Sequence, residues 1–230
     1  IRDAFAGVPL AAHATIDSPI GALTALATSK GLAGLWFDAQ KHHPGDLDAP
    51  TDASNPHIVA MRHWLDAYWS NQNPSARDVT LDLHGTPFQL AVWQALLGIS
   101  FGRTKTYGEI ALQVGNGAVP RATGTAVGRN PVSILVPCHR VIGANGSLTG
   151  YAGGLQRKER LLQHEGVPTG CANAVRFALL GLALAWSLRF EWRLTGLRTA
   201  APLRRVSALA LIALGLVPFC WAWELFFVQW

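Results

Sequence analysis

Between Thr86 and Gly128 the chain stops and restarts its helices at short, well-marked intervals, and this punctuation constrains the fold more than any other feature. Thr86 is a good capping residue, and Pro87 after it suits the first helical position. Phe88, Val92, Trp93, Leu96 and Leu97 then recur at helical spacing as far as Gly98. Thr106 can cap a second helix carrying Tyr107, Ile110, Ala111 and Val114, which Gly115-Asn116-Gly117 ends. Pro120 opens a third, Arg121-Ala122-Thr123-Gly124-Thr125-Ala126-Val127-Gly128. Two short helices joined by a Gly-containing turn fit a helix-turn-helix. The third helix is nearly all small residues, with Arg121 the one long probe at its start. Small side chains let a helix backbone come very close to a neighbour. That neighbour is either another helix or a nucleic-acid groove, and shape alone does not separate the two.

Upstream, Ala12 to Asp38 reads as a meander of about three strands, with Ser18-Pro19-Ile20-Gly21 and Ser29-Lys30-Gly31 as turns. Residues 39–56 are polar and contain Pro, Gly and Asp, which predicts a loop. His42 and His43 in that loop have no third ligand at a supporting spacing, so a solvated loop is expected there and no metal. Pro56 to Ser70 carries Ile58, Met61, Leu65 and Tyr68 or Trp69 at helical spacing, with Asn55 as its cap. Val79 to Leu83 alternates apolar and polar and predicts a closing strand. Residues 1–84 thus read as a small α/β domain without a visible catalytic constellation.

Charge divides along the same line. Net charge is −4 over residues 1–84, +5 over 85–166 and +4 over 167–230. A compact basic middle block suits a polyanionic partner such as nucleic acid, although ordinary surface charge would look the same. The three cysteines, Cys138, Cys171 and Cys220, show no paired or metal-type spacing, which points to a reducing compartment. The chain opens on Ile1 rather than Met, as expected of a fragment or processed form, and its first residues do not read as a secretory signal.

Chemistry concentrates in Ser133-Ile134-Leu135-Val136-Pro137-Cys138-His139-Arg140-Val141-Ile142. A thiol becomes a nucleophile when a base or positive charge removes its proton. Here His139 and Arg140 follow Cys138 directly and Pro137 restrains the backbone. A Cys-His dipeptide alone is weak evidence, because a lone buried Cys is usually an inert small hydrophobe. A glycine-rich stretch (Gly143, Gly146, Gly150, Gly153, Gly154) and a helix from Leu155 to about His164 follow.

Pro137-Cys138-His139-Arg140-Val141 resembles the active-site signature of the O6-alkylguanine-DNA alkyltransferases. Gly85-Thr86-Pro87-Phe88-Gln89, Thr106-Tyr107-Gly108-Glu109-Ile110-Ala111, Arg121-Ala122, Asn130-Pro131, Gly150-Tyr151-Ala152-Gly153-Gly154 and Leu161-Leu162-Gln163-His164-Glu165-Gly166 match the same family's pattern in order. The resemblance spans about residues 12–166, strongly from 85 onward, and is closest to the bacterial cytosolic form. It implies a mainly α, winged helix-turn-helix-like domain over 85–166. It implies single-turnover repair, in which an alkyl group passes from O6-alkylguanine, or O4-alkylthymine, in duplex DNA to Cys138. His139 would take the thiol proton through a water, and Glu165 would orient the imidazole. Tyr107 would press on the backbone of the extruded nucleotide and donate to the departing guanine. Arg121 would fill the place of the flipped base, while Ala122, Gly124 and Arg129 would belong to the DNA-binding surface. Asn130, Ser133, Val141, Tyr151 and Ala152 would make the substrate pocket, with Asn130 at the hinge. No cofactor, no metal and no obligate protein partner are implied; a cytoplasmic monomer acting on double-stranded DNA is. Ser133 stands where some members have Pro and Ala152 where some have Ser, and both differences touch the expected pocket rim and so the range of alkyl groups accepted.

Residues 167–230 lie outside this pattern. They contain apolar runs at 174–188 and 206–223, separated by Arg189, Arg193, Arg198, Arg204 and Arg205. The second run is just long enough to cross a bilayer and the first is short. A two-span hairpin with this loop inside would follow the positive-inside tendency, yet it would put residues 1–166 on the side away from DNA. An interfacial first run, a buried helical addition, or a fusion or gene-model error would each resolve the conflict, and the last is the favoured expectation for this apolar, helical tail. Two rival functions follow. One is a non-catalytic sensor of alkylated DNA, whose members replace the acceptor Cys that is present here. The other is a membrane-associated protein with an inactive repair-like head.

Overall fold

The computed structural model describes Phe5 and residues 7–115 and 120–168. Strands β1 (Leu10–Ile16), β2 (Leu23–Thr28) and β3 (Leu32–Phe37) form an antiparallel meander in that order. The expected turns close it: Gly21 N–H donates to Ser18 O at 3.1 Å, and Thr28 N–H to Gly31 O at 2.9 Å. Sheets buried on both faces carry near-continuous apolar strands, and β3 (Leu-Ala-Gly-Leu-Trp-Phe) is buried at every position. Leu35 and Phe37 join the main core, while Ala33 and Trp36 face the other way into a smaller cluster with Phe5 and Leu26. Gly34 makes that second face buildable, because a Cβ there would fall inside the Trp36 ring.

Helix α1 (Pro56–Trp69) packs on the sheet through Ile58, Met61, Trp64, Leu65 and Tyr68, with Asn55 accepting from His57 N–H at its start. The strand expected over Val79–Leu83 is reduced to one bridge. Leu81 pairs with Leu32 in parallel sense, flanked by Leu32 N–H to Thr80 O at 2.8 Å and Asp82 N–H to Leu32 O at 2.9 Å. The free edge of β3 has two claimants. Its second half pairs instead with the segment before the cysteine, through Leu35 N–H to Pro131 O and Ser133 N–H to Leu35 O, both 2.8 Å. The N-terminal sheet is thereby stitched to the chain that carries Cys138.

Helices α2 (Pro87–Leu97), α3 (Tyr107–Val114) and α4 (Pro120–Gly128) pack against one another. Thr86 and Thr106 each cap their helix reciprocally with a residue three places on, Gln89 and Glu109. Trp93 of α2 fixes α4 by donating Nε1–H to Ala126 O at 3.0 Å. The small residues of α4 serve packing on one side, where Thr123, Ala126 and Val127 are buried, while Arg121, Ala122 and Thr125 stay exposed. Short strands β4 (Lys105–Thr106) and β5 (Val141–Ile142) pair in parallel, and α5 (Leu155–His164) ends the described chain. One apolar cluster runs through all of this, from Ala12 and Phe37 to Val92, Val136 and Leu161. Among the described residues no helix is long and apolar enough to cross a membrane. The apolar runs at 174–188 and 206–223, and all of the tail expected over 167–230 except its first two residues, lie outside the described residues.

Candidate active site

Cys138 starts a 3-10 turn (Cys138–Arg140) at the end of a tightly wound segment. Ile134 has φ 68°, a left-handed conformation costly for a β-branched residue, and Leu135 N–H closes a three-residue turn onto Ser133 O at 2.8 Å. Pro137, at φ −83° and ψ 63°, makes a second such turn, with Cys138 N–H on Val136 O at 2.8 Å. Asn130 holds this backbone from inside. Its Nδ2 donates to Val136 O at 2.7 Å, to Cys138 Sγ at 3.0 Å and to Val132 O at 3.2 Å, and its Oδ1 accepts from Val132 N–H at 3.0 Å.

Burial pushes the Cys138 thiol up, and the Asn130 hydrogen bond and the Lys158 charge oppose it. An amide hydrogen bond to sulfur and a nearby cation both favour the thiolate. Lys158 of α5 is itself fully buried. Its Nζ donates to Val141 O at 2.5 Å and to Thr149 O at 2.8 Å, and burial lowers its pKa to about 8.

His139 is buried without exposure, and its Nε2 lies 2.8 Å from Glu165 Oε1. Among the described residues its Nδ1 has no hydrogen-bond partner. Glu165 is a hub. Arg140 grips it with both Nε and Nη2, at 2.8 and 2.9 Å, Tyr68 donates its hydroxyl at 2.8 Å, and Gly102 N–H approaches at 3.3 Å. Gly102 is required there: its φ is +70°, and a Cβ would sit 2.9 Å from Glu165 O. Burial alone would raise the carboxyl, but His139 and Arg140 outweigh it and hold Glu165 at about 2. Burial lowers His139 and so favours its neutral form, against the pull of Glu165. With Nε2–H committed to the carboxylate, Nδ1 is the basic nitrogen.

A cavity of about 720 Å³ opens beside this centre. Tyr107, Arg121, Gly124, Arg129, Tyr151 and Ala152 all border it, so the chain folds to bring these sequence-expected residues together. Tyr107 hydroxyl donates to Thr149 O at 3.2 Å and Gly150 O at 3.3 Å, joining the start of α3 to the loop before α5. Ala122 is exposed on α4 but does not border the cavity. Asn130, Ser133 and Val141, expected in the pocket, do not line it either. The side chain of Asn130 is spent on the Cys138 segment, Ser133 Oγ donates to Gln40 Oε1 at 2.9 Å, and Val141 is paired in β5 within the core. Cys138 is 4% exposed and is not a lining residue.

Sequence reasoning missed five contributors. Tyr68 reads as one more apolar position of α1, and its hydroxyl partner lies 97 residues away. Arg140 reads in sequence only as a charge beside the thiol. Lys158 sits on a charged helical stretch with nothing to mark it as buried. Lys41 and His42 border the cavity from the loop after β3, although that loop reads as solvated. Two adjacent basic residues in an otherwise acidic segment were the one available signal.

The sequence matches two family models: the 6-O-methylguanine DNA methyltransferase ribonuclease-like domain over residues 12–83, and the DNA binding domain of the same name over 87–167. It is 46% identical over 153 residues to a methylated-DNA–protein-cysteine methyltransferase of Mycobacterium tuberculosis, covering 66% of this chain and 91% of the relative. A protein of the same name from Methanosarcina acetivorans is 46% identical over 154 residues, covering 67% and 97%. The fold is similar to crystal structures of the M. tuberculosis O6-methylguanine methyltransferase (TM-score 0.60, 44% identity, 69% of this chain and 95% of that one). The M. tuberculosis OGT in complex with DNA matches with the same score and identity over 67% and 93%. The chain belongs to the 6-O-methylguanine DNA methyltransferase family.

Proposed function

We propose that this chain repairs DNA by direct reversal, moving a methyl or other alkyl group from O6 of guanine onto Sγ of Cys138, once per molecule. What carries the reading is a buried thiol held by Asn130 at 3.0 Å, next in sequence to an imidazole whose Nε2 is committed to Glu165 at 2.8 Å.

The roles follow from the chemistry. His139 Nδ1 takes the thiol proton, directly or through one water, and Glu165 steadies the imidazolium that results. The thiolate attacks the alkyl carbon in line, so that the S–C bond forms as the C–O6 bond breaks. The released electron pair goes to the purine, which takes up a ring proton in place of the one lost by the thiol and remains in the strand as ordinary guanine. Tyr107, at the cavity wall, donates a hydrogen bond to the purine as this charge develops. Lys158 favours the thiolate against the burial that pushes the thiol up. The thioether is stable and no step restores the thiol, so the protein is consumed. No group beyond the thiol and the alkylated base is needed to balance the displacement.

A base inside a duplex is out of reach, so the nucleotide must be extruded into the cavity. Helices α3 and α4 act as the helix-turn-helix and the paired β4 and β5 as part of a wing. The exposed, small-residue face of α4 lies in the groove, with Arg121 taking the place of the flipped base and Arg129 meeting the backbone. Segment 85–166 carries the reaction, and segment 1–84 supports it through Tyr68 and Gln40. A stoichiometric titration tests the reading. With excess duplex labelled on the O6-methyl group, protein-bound label should plateau at one methyl per active chain and vanish in Cys138→Ser. Continued release of label without a plateau would overturn it.

A further inference from the structure

The loop after β3 is built rather than loose. Gln40 is buried, and its Oε1 accepts from Phe37 N–H at 3.1 Å and from Ser133 Oγ at 2.9 Å. Lys41 N–H donates to Ala152 O at 2.9 Å, and His43 N–H to Gln40 O at 3.0 Å. Ala39 and His42, on either side of this anchored pair, both adopt left-handed backbone conformations, with φ 58° and 67°. Such conformations in non-glycine residues persist where surrounding contacts fix them. The result is that Lys41 and His42, both exposed, border the 720 Å³ cavity at which Arg121 and Arg129 also lie. No carboxylate is among the described lining residues. A segment of net charge −4 therefore brings a lysine and a histidine, and none of its nine aspartates, to this rim.

We infer that the loop Ala39–His43 is part of the DNA-binding face and that Lys41 contacts a backbone phosphate beside the extruded nucleotide. The inference rests on the repair reading. A nucleotide turned into the cavity draws its flanking phosphates to the cavity mouth, and a cation fixed at that mouth neutralises one of them. The N-terminal segment then shares in substrate recognition instead of only supporting the sheet.

The test is duplex binding by the full chain, with O6-methylguanine DNA, over a range of salt concentrations. Lys41→Gln should weaken binding several-fold and make the dependence of log affinity on log salt shallower by about one. Lys41→Arg should restore most of both. Lys30→Gln, on the exposed turn between β2 and β3, removes the same charge from the same segment and should change neither. Unchanged affinity and slope in Lys41→Gln, or equal effects of Lys41→Gln and Lys30→Gln, would overturn the inference while leaving the repair reading intact. If the parent chain itself neither binds this duplex nor takes up its methyl group, the repair reading fails and this inference with it.

Discussion

The imidazole of His139 and the carboxylate of Glu165 meet at 2.8 Å with neither side chain exposed to solvent. Adjacent Arg140 closes on the same carboxylate, so two consecutive residues of the Cys138 turn converge on one acid from the end of α5. Glu165→Gln keeps the size of this group but removes its charge. Thiol alkylation by O6-methylguanine in duplex DNA should fall by about 10²-fold or more, the scale of an acid–base partner. Stability should fall too, because a buried Arg140 is left without its counter-charge, at a cost of about 3–5 kcal/mol. Rates measured below the melting temperature of the variant separate the two effects.

The same carboxylate sets an acid limit. Glu165 is held at about 2, against an ordinary 4.5. Its folded-state pKa lies below its unfolded one, so its contribution is complete above about pH 5 and is lost as pH falls toward 2. That contribution is roughly 3 kcal/mol. Denaturant titrations between pH 6 and pH 3 should show stability falling with acid in the native chain, with a visibly smaller slope in Glu165→Gln.

Tyr68 reaches Glu165 from the N-terminal segment while its ring stacks on Trp64 at 5.3 Å. Tyr68→Phe removes the hydroxyl alone. The expected loss is about 1.5–3 kcal/mol, since the hydrogen bond is to a charged group, together with a slower alkylation of Cys138. The rate is the informative readout, because it tests whether α1 helps position the base. An unchanged rate would confine Tyr68 to packing.

Lys158 is a buried cation whose charge the thiol senses. Lys158→Met should shift the pH profile of Cys138 alkylation to higher pH. In the native chain the folded pKa of about 8 lies below the ordinary 10.5. The unfolded state then binds more protons across that window, so stability should rise as pH goes from about 8 to 10. The methionine variant should lack that rise.

Local signals made much of the fold legible. Asn55, Thr86 and Thr106 each sit before a helical stripe, and each caps the helix expected from it. Turn residues around Gly21 and Gly31 mark the meander just as directly. These features depend on neighbours a few residues apart. Val79–Leu83 could not be read the same way, because its alternation does not reveal that Pro131–Ser133 takes half of the β3 edge. The site divides on the same principle. Cys138, His139 and Glu165 could be named from motifs, whereas the hydroxyl of Tyr68, the buried amine of Lys158 and the anchoring of Gln40 depend on contacts between residues distant in sequence. Ser133 shows the converse. Its motif position implies a pocket residue, and the structure adds a long-range contact that the motif does not show, its hydroxyl donating to buried Gln40.

Alkyl transfer to Cys138 is read from the intact mass of the full chain after mixing with duplex DNA carrying one O6-methylguanine, followed by peptide mapping. A gain of one methyl group is expected, located on Cys138 and absent from Cys138→Ala. No gain from a chain that is folded and bound to that DNA, or a methyl group mapped to any other residue, would contradict it.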